Sequence, residues 1–551
     1  MPESSASTAL ALALQPDVSR LTLPHFLDDV AARHGPRVAL RFEGRDLTYT
    51  QLREEARAVA RGLLAAGVAR GDHIAVLFAN RPEWAIAAFG AALAGAVVVP
   101  LSTFATPEER AYILEHSDAA VLLHQRTLLG RDFAAELRAA PRPPRLRLVA
   151  CWGDERFPQV RRDSAAAPAL DAQLAAIAAA VAPAEPGLLI YTSGTTARPK
   201  GVLHAQRSPV IQCWRFAELM DLTPENRVFT AQPFFWTAGI AMSLGATLAA
   251  GATLLLQETF EPGAALVLIE RERATSVHAW PHQEKSMAEH PDAPHRDLRS
   301  VSKVEFGSPL AKLILLARDE WGTYGSYGTS ETFTLFSAFP ARAPAALRHA
   351  SHGPPLPGNE LRIVDPSSRA LLAAGEHGEI AVRGPTLMLG YWKQPREACF
   401  DADGFYHTGD AGWLDGEGRL HWRGRLTGLI KTGGANVSPL EIEEAMAAYP
   451  GVKSAHAIGV PHPTLGEAVV LCVVLSEIAR ASGIELAAVR EFLRSRIAAY
   501  KLPRALLVFD ASDVEFTGSQ KVALAPLRER VLARLAEEDL EIAGHRFREG
   551  T

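Results

Sequence analysis

Tyr191-Thr192-Ser193-Gly194-Thr195-Thr196-Ala197-Arg198-Pro199-Lys200-Gly201 is the stretch whose reading decides this chain. Hydroxyl side chains, glycines and two cations crowd one short run. Gly187-Leu188-Leu189-Ile190 just before it reads as a buried strand that delivers the loop to the surface. Such a loop offers hydroxyl and backbone donors to phosphate oxygens, and Arg198 and Lys200 add positive charge. It is not a Walker loop, because five residues after Gly194 stands Pro199, where that motif requires its second glycine. A solvated Ser/Thr/Gly turn is the reading that the loop taken alone leaves open.

Upstream of the loop, helical and strand patterns alternate: Leu52–Ala66 helix, His73–Phe78 strand, Trp84–Ala94 helix, Val97–Pro100 strand. That alternation predicts βαβ units and a parallel sheet. The stretch from Trp84 to Leu101 carries no charge, but Gly90 and Gly95 interrupt it, so it reads as a buried helix–strand pair rather than a membrane span. Pro141–Pro144 and the Ala/Pro-rich region from Ala165 to Pro186 are expected as a surface excursion. From about Asn359 the pattern shortens into strands with polar turns, including Gly378–Val382 and Leu420–Arg423, which predicts a β-rich subdomain. Beyond Gly424-Arg425 a new αβ pattern starts, with helices near Pro439–Ala448 and Ile484–Arg496. The expected fold is α/β, with a large N-terminal domain of parallel sheets plus the β-rich subdomain and a small α+β C-terminal domain. Its bounds are a disordered tail over 1–20, an N-terminal domain over 21–425, a hinge at 426–428 and a C-terminal domain over 429–551.

With 551 residues, 48% hydrophobic and 22% charged, the chain has ample length for large cores. A net charge of −5 without any long Lys/Arg run argues against nucleic-acid binding. Cys151, Cys213, Cys399 and Cys472 are scattered without CxxC spacing, so neither a disulfide scaffold nor a zinc site is expected. The acidic start, Met1-Pro2-Glu3, does not resemble a signal peptide. A cytoplasmic protein without a membrane span is expected.

Further segments follow the loop in a telling order. They are Glu305-Phe306-Gly307-Ser308-Pro309-Leu310, Tyr327-Gly328-Thr329-Ser330-Glu331, Gly378-Glu379 through Gly390-Tyr391, and Thr408-Gly409-Asp410. Then come Gly424-Arg425 through Lys431, Gly433-Gly434 and Pro439–Glu443, followed by Tyr500-Lys501-Leu502-Pro503 and Thr517-Gly518-Ser519-Gln520-Lys521. In this order and spacing the set resembles the adenylate-forming superfamily of acyl-CoA synthetases, amino-acid adenylation domains and beetle luciferases, from about Pro24 to Arg528. The chain is most similar to its AMP-forming acyl-CoA ligases.

That resemblance implies an enzyme that activates a carboxylic acid with ATP and Mg²⁺ and passes the acyl group to coenzyme A. The chemistry is coherent with the residues, since carboxylate and α-phosphate are both anions and need cations and donors where charge accumulates. By resemblance, Thr192, Ser193, Gly194, Thr195, Thr196 and Lys200 hold phosphates, and Glu331 is the Mg²⁺ ligand. Tyr327 faces adenine, with Gly307, Ser308 and Pro309 along the ring and Gly328, Thr329 and Ser330 in the same nucleotide loop. Asp410 accepts from the ribose hydroxyls and Arg425 adds a contact there. Lys521, Glu331 and Thr195 are the implied catalytic residues. Lys431, Gly433 and Gly434 are assigned to coenzyme A, and Thr427 to the hinge about which the small domain turns to exchange Lys521 for the Gly433-Gly434 strand. Taken singly, Glu331 reads equally as a solvated charge, Tyr327 as a core tyrosine, Asp410 as a local turn cap and Lys521 as surface charge.

Trp236, Ala238, Gly239, Phe306 and Phe333 are implied to line the acyl pocket, with Gly307 and Gly328 beside them. They are apolar or small, which favours a fatty, alicyclic or aromatic acid; Trp236 reads equally as core packing. Thr237 stands where amino-acid-activating members place an aspartate. The chain departs from the family pattern at Ala197, Gln520, Thr427 and Trp236, none of which removes a charged catalytic group. Transfer to a separate carrier protein, a luciferase-like oxygenase and a non-catalytic nucleotide-binding protein are the competing readings. A homodimer is left open.

Overall fold

The structure, a computed structural model, describes residues 17–155, 157–192, 199–428, 430–432, 435–494, 496–497, 499–516 and 522–547. It divides into two compact units. The first holds the chain up to Leu361 with Val382–Tyr406 and Gly418–Leu420; the second holds Arg362–Ala381, His407–Glu417 and His421 onward.

In the first unit, strands His73–Leu77, Val97–Pro100, Ala119–His124 and Leu148–Cys151 run parallel, as the alternating pattern predicts. Val97–Pro100 continues in parallel to Pro186–Thr192. There the direction reverses: Lys200–Ala205 returns antiparallel to Pro186–Thr192, and Gly390–Tyr391 pairs antiparallel outside it. The phosphate-loop candidate is thus the connection of a β-hairpin, not a strand-to-helix turn. A second, five-stranded sheet carries parallel strands Ser276–His278, Arg227–Thr230, Thr253–Leu256 and Val38–Phe42, edged by antiparallel Arg45–Thr48.

Helix Tyr49–Ala65 starts from a capping box in which Thr48 and Gln51 satisfy each other's backbone donors. It packs on helix Pro82–Leu93, which holds the first part of the uncharged segment and whose residues are almost all buried. Gly90 is required at that crossing, since a Cβ there would stand 2.8 Å from Val59. Among the described residues no helix is long and apolar enough to cross a membrane. The Ala/Pro-rich region departs from expectation: Ala167–Ala180 is a helix that buries Leu170 and Leu174. Alanine and leucine are strong helix formers, and Pro168 sits in the first turn, where its missing N–H costs nothing. Near the N-terminus, Asp17 caps a 3-10 turn over Val18–Arg20, and Arg20 pairs with Asp29. Helical backbone therefore starts inside the expected tail, whose residues 1–16 lie outside the described residues.

The second unit holds most of a four-stranded sheet in the order Glu360–Val364, Gly378–Arg383, Tyr406–Leu414, Leu420–Arg425. Beyond the 3-10 turn Leu426–Gly428, strand Gly466–Leu475 pairs antiparallel with Val452–His462 and parallel with Ala505–Phe509. Its alternate residues enter two cores. Val470, Cys472 and Val474 pack with Leu527 and Val531, while Val469, Leu471 and Val473 pack with Ile442, Val489 and Leu493. A strand covered on both faces reads as an unbroken apolar run, as this one does.

Candidate active site

Strand Lys200–Ala205 organises the first unit's share of the candidate residues. Ser193, Gly194, Thr195 and Thr196 lie outside the described residues; Thr192 and Lys200 face each other across the hairpin. Lys200 Nζ stands 5.3 Å from the centre of the Tyr391 ring, a cation–π contact made possible by the pairing of Val202 with Tyr391.

Glu331 lies in a 3-10 turn, Ser330–Thr332, between paired strands Ser326–Thr329 and Thr334–Ala338. Its Oε1 accepts a hydrogen bond from the Tyr391 hydroxyl at 2.8 Å, and its carbonyl accepts from the Met388 N–H at 2.7 Å. The Tyr391 and Tyr406 hydroxyls are 2.9 Å apart. Burial and the Glu331 charge push the Tyr391 phenol well above its ordinary value, so it stays a donor. From behind, buried His204 Nε2 donates to the Ser330 carbonyl at 2.9 Å, and Gln212 donates to the carbonyls of Phe333 and Leu335 at 2.9 and 2.7 Å. Burial drives His204 down to about 3, which keeps it neutral. These bonds hold an unusual backbone, because Phe333 and Thr334 both have left-handed φ, 51° and 79°. Gly328 is required beside them: a Cβ there would lie 1.8 Å from the Thr334 carbonyl oxygen.

Tyr327, expected to offer a face to adenine, is 5% exposed, so little of its ring meets solvent. Ser308 caps helix Pro309–Leu313 by accepting from the Ala311 N–H at 3.2 Å, and Gly307 before it has φ of 81°. Behind this loop, burial lifts Glu284 to about 7; the Ser308 hydroxyl opposes the shift and Glu305 adds to it.

Among the acyl-pocket candidates, Trp236 sits in an aromatic cluster, with ring centres 6.1 Å from Phe104, 5.5 Å from Phe235 and 6.2 Å from Trp280. Phe104 is an exposed member of that cluster. Ala238 leads into a π-helix, Gly239–Gly245, and a Cβ on Gly239 would stand 1.9 Å from the Pro233 carbonyl oxygen. Phe306 is 37% exposed. Phe333 is fully buried, its ring edge-on to His204 at 4.8 Å, which is core packing rather than an open wall.

In the second unit, Asp410 is buried and pairs with Arg425 at 3.0 Å. The Thr408-Gly409-Asp410 segment is not a free turn. It lies inside strand Tyr406–Leu414, where Gly409 takes φ of 71° and its N–H donates to Glu379 at 2.9 Å. The Thr408 hydroxyl accepts from the Asp410 N–H at 3.1 Å, and the Arg425 guanidinium donates to the Thr408 carbonyl at 2.9 Å. Thr427 lies in the Leu426–Gly428 turn. Lys431 is exposed, and its N–H donates to Glu467 at 2.8 Å. Gly433, Gly434 and Lys521 lie outside the described residues.

The residues fit Mg²⁺. Among the described residues no cluster of three or more His, Cys, Asp or Glu could hold a metal. A single carboxylate such as that of Glu331 would suit an ion that binds chiefly through phosphate oxygens and water. Sequence reading gave no role to Tyr391, Tyr406, His204, Gln212, Phe104 or Trp280; of these, Tyr391 alone carried a signal, as part of the Gly390-Tyr391 segment.

Comparison with known proteins shows the family. The AMP-binding enzyme family model matches residues 27–392, and the AMP-binding enzyme C-terminal domain model matches 441–521. A feruloyl-CoA synthase of Amycolatopsis is 34% identical over 510 residues, covering 91% of this chain and 97% of that protein. A methyl-dioxo-octahydroindenyl-propanoyl:CoA ligase of Mycobacterium tuberculosis is 34% identical, covering 92% and 98%. The crystal structure of ATP-bound MatB from Rhodopseudomonas palustris aligns with a TM-score of 0.74 at 26% identity, over 93% of this chain and 99% of that one.

Proposed function

The chain belongs to the AMP-binding enzyme family, and we propose that it is an AMP-forming acid–thiol ligase that joins a hydrophobic, ring-bearing carboxylic acid to coenzyme A. In the first half-reaction a carboxylate oxygen attacks the α-phosphorus of ATP, the bond from that phosphorus to the bridging oxygen breaks, and pyrophosphate leaves. In the second, the thiol sulfur of coenzyme A attacks the acyl carbonyl, AMP leaves with the C–O bond pair, and the thiol proton passes to solvent.

The observation that carries the reading is the Glu331 carboxylate, fixed by Tyr391 on the strand pair that also presents Lys200. Bound Mg²⁺ supplies charge neutralisation for the phosphate oxygens. Around it the chain's own residues bind and orient. Lys200 and the hydroxyl loop hold the β- and γ-phosphates, Tyr327 and the Gly307–Pro309 loop flank adenine, and Asp410 with Arg425 takes the ribose. Lys521 meets the carboxylate and α-phosphate during adenylation, then gives way to Gly433-Gly434 for the pantetheine arm, with Thr427 at the hinge.

For the acid, the aromatic cluster of Trp236, Phe104, Phe235 and Trp280, exposed at Phe104 and buried at Phe235, supports a flat or ring-shaped apolar body. The names of both curated relatives contain ring-bearing acyl groups. ATP, coenzyme A and four free buried cysteines fit the reducing cytoplasm.

The test is pyrophosphate release from ATP and Mg²⁺ across aromatic, alicyclic and fatty acids, with and without coenzyme A. Acid-dependent release with acyl-CoA and AMP as products supports the ligase, and the strongest acids name its class. Release without thioester would shift the acceptor to a carrier protein, and silence across the panel would sink the enzyme reading.

A further inference from the structure

Two hydroxyls stand in line behind the Glu331 carboxylate. A carboxylate only accepts, so the Tyr391 proton goes to Glu331 Oε1, at 2.8 Å, and the Tyr406 hydroxyl, 2.9 Å away, donates to the Tyr391 oxygen. A hydroxyl whose oxygen accepts one hydrogen bond donates a stronger one, so the second tyrosine reinforces the first. The face of the same Tyr391 ring carries Lys200, and the backbone of Met388, three residues earlier, holds the Glu331 carbonyl. One tyrosine therefore touches both the loop cation and the acidic residue. Glu331 sits on a turn followed by two left-handed residues, a backbone that persists only where surrounding contacts hold it.

We propose that Tyr391, backed by Tyr406, is a positioning residue. Its hydroxyl occupies one oxygen of Glu331, fixes the carboxylate plane, and leaves the other oxygen as a single-point ligand for a hydrated divalent cation. This rests on the ligase reading, which makes Glu331 the metal ligand. Partners that orient a ligating carboxylate typically contribute about 10–100-fold to metal affinity.

The probe is Mn²⁺, titrated against the full-length protein saturated with α,β-methylene-ATP, with water-proton relaxation reporting Mn²⁺ immobilised on the protein. Tyr391→Phe should raise the Mn²⁺ dissociation constant about 10–100-fold. Its nucleotide affinity in EDTA and its thermal midpoint should stay at wild-type values, which a loss of packing would not allow. Tyr406→Phe, which keeps the bond to Glu331, should give a smaller loss in the same direction, and it serves as a second arm if Tyr391→Phe fails to fold. Mn²⁺ binding by the wild type with an unchanged constant in the variants overturns the positioning role and leaves the ligase reading standing. A wild-type complex that immobilises no Mn²⁺ overturns both.

Discussion

Asp410 and Arg425, both assigned to the nucleotide's ribose, are paired with each other at 3.0 Å. The pair is lopsided: the Asp410 side chain is 4% exposed and that of Arg425 is 53%. Asp410 is held on its strand, with Thr408 bound to its N–H and Gly409 tied to Glu379. The aspartate is the buried partner, and the arginine, which also donates to the Thr408 carbonyl, is the exposed one.

Asp410→Asn should therefore raise the KM for ATP by about 10–150-fold, the range for losing a hydrogen bond to a charged group. Ribose recognition has its own signature. The wild type should discriminate against 2′-deoxy-ATP, and Asp410→Asn should lose most of that discrimination. Equal discrimination in both would move the ribose contact elsewhere.

Lys521→Ala should slow adenylation by about 10²–10³-fold, the scale for removing one contact to developing charge. Supplied with a synthetic acyl-adenylate and coenzyme A, the variant should still form thioester at the wild-type rate. Parallel loss of both half-reactions would refute the exchange of Lys521 for Gly433-Gly434.

Trp236→Ala removes the centre of the Phe104–Phe235–Trp280 cluster. The preferred acid should shift to one with a bulkier ring system, read as a changed ranking of kcat/KM across the panel. An unchanged ranking with a lower thermal midpoint would make Trp236 a packing residue.

Burial holds His204 near 3 and His278 near 4, against an ordinary value of 6.5. Both rings are neutral when folded and take up protons once unfolded, so acid favours the unfolded chain. Their contribution is complete above about 6.5 and is lost as pH falls through the folded values, at about 1.4 kcal/mol per pH unit for each ring. Urea unfolding between pH 7 and pH 4.5 should show this slope, and His278→Gln should flatten it. A slope unaltered in that variant would mean that His278 is charged in the folded chain.

Much of the fold was legible. Strand His73–Leu77, helix Pro82–Leu93 and strand Val97–Pro100 fall where apolar periodicity puts them. Ala167–Ala180 was misjudged because alanine and proline together suggest a linker, and the two leucines that bury it are a thin signal. Asp410 read as a turn because Gly409 precedes it, yet here the glycine is a left-handed residue inside a strand. Phe333 looked like pocket lining. Its ring is fully buried, edge-on to His204, in a residue whose φ is left-handed without being a glycine, and no local pattern announces that. The bond between Tyr391 and Glu331 joins residues 60 apart in the chain and exists only once Gly390–Tyr391 has paired with Lys200–Ala205.

Lys200–Ala205 also behaves as a ruler. Its ladder to Pro186–Thr192 is regular from Lys200 to His204, so Lys200, Val202 and His204 point to one side and Gly201 and Leu203 to the other. At roughly 3.4 Å per residue, the strand sets Lys200 and His204 about 14 Å apart. Lys200 meets the Tyr391 ring at one end, and His204 meets Ser330 at the other. A one-residue insertion or deletion between them would turn one mark to the wrong face whatever residue was added or removed. Length, rather than identity, is the property this strand cannot trade.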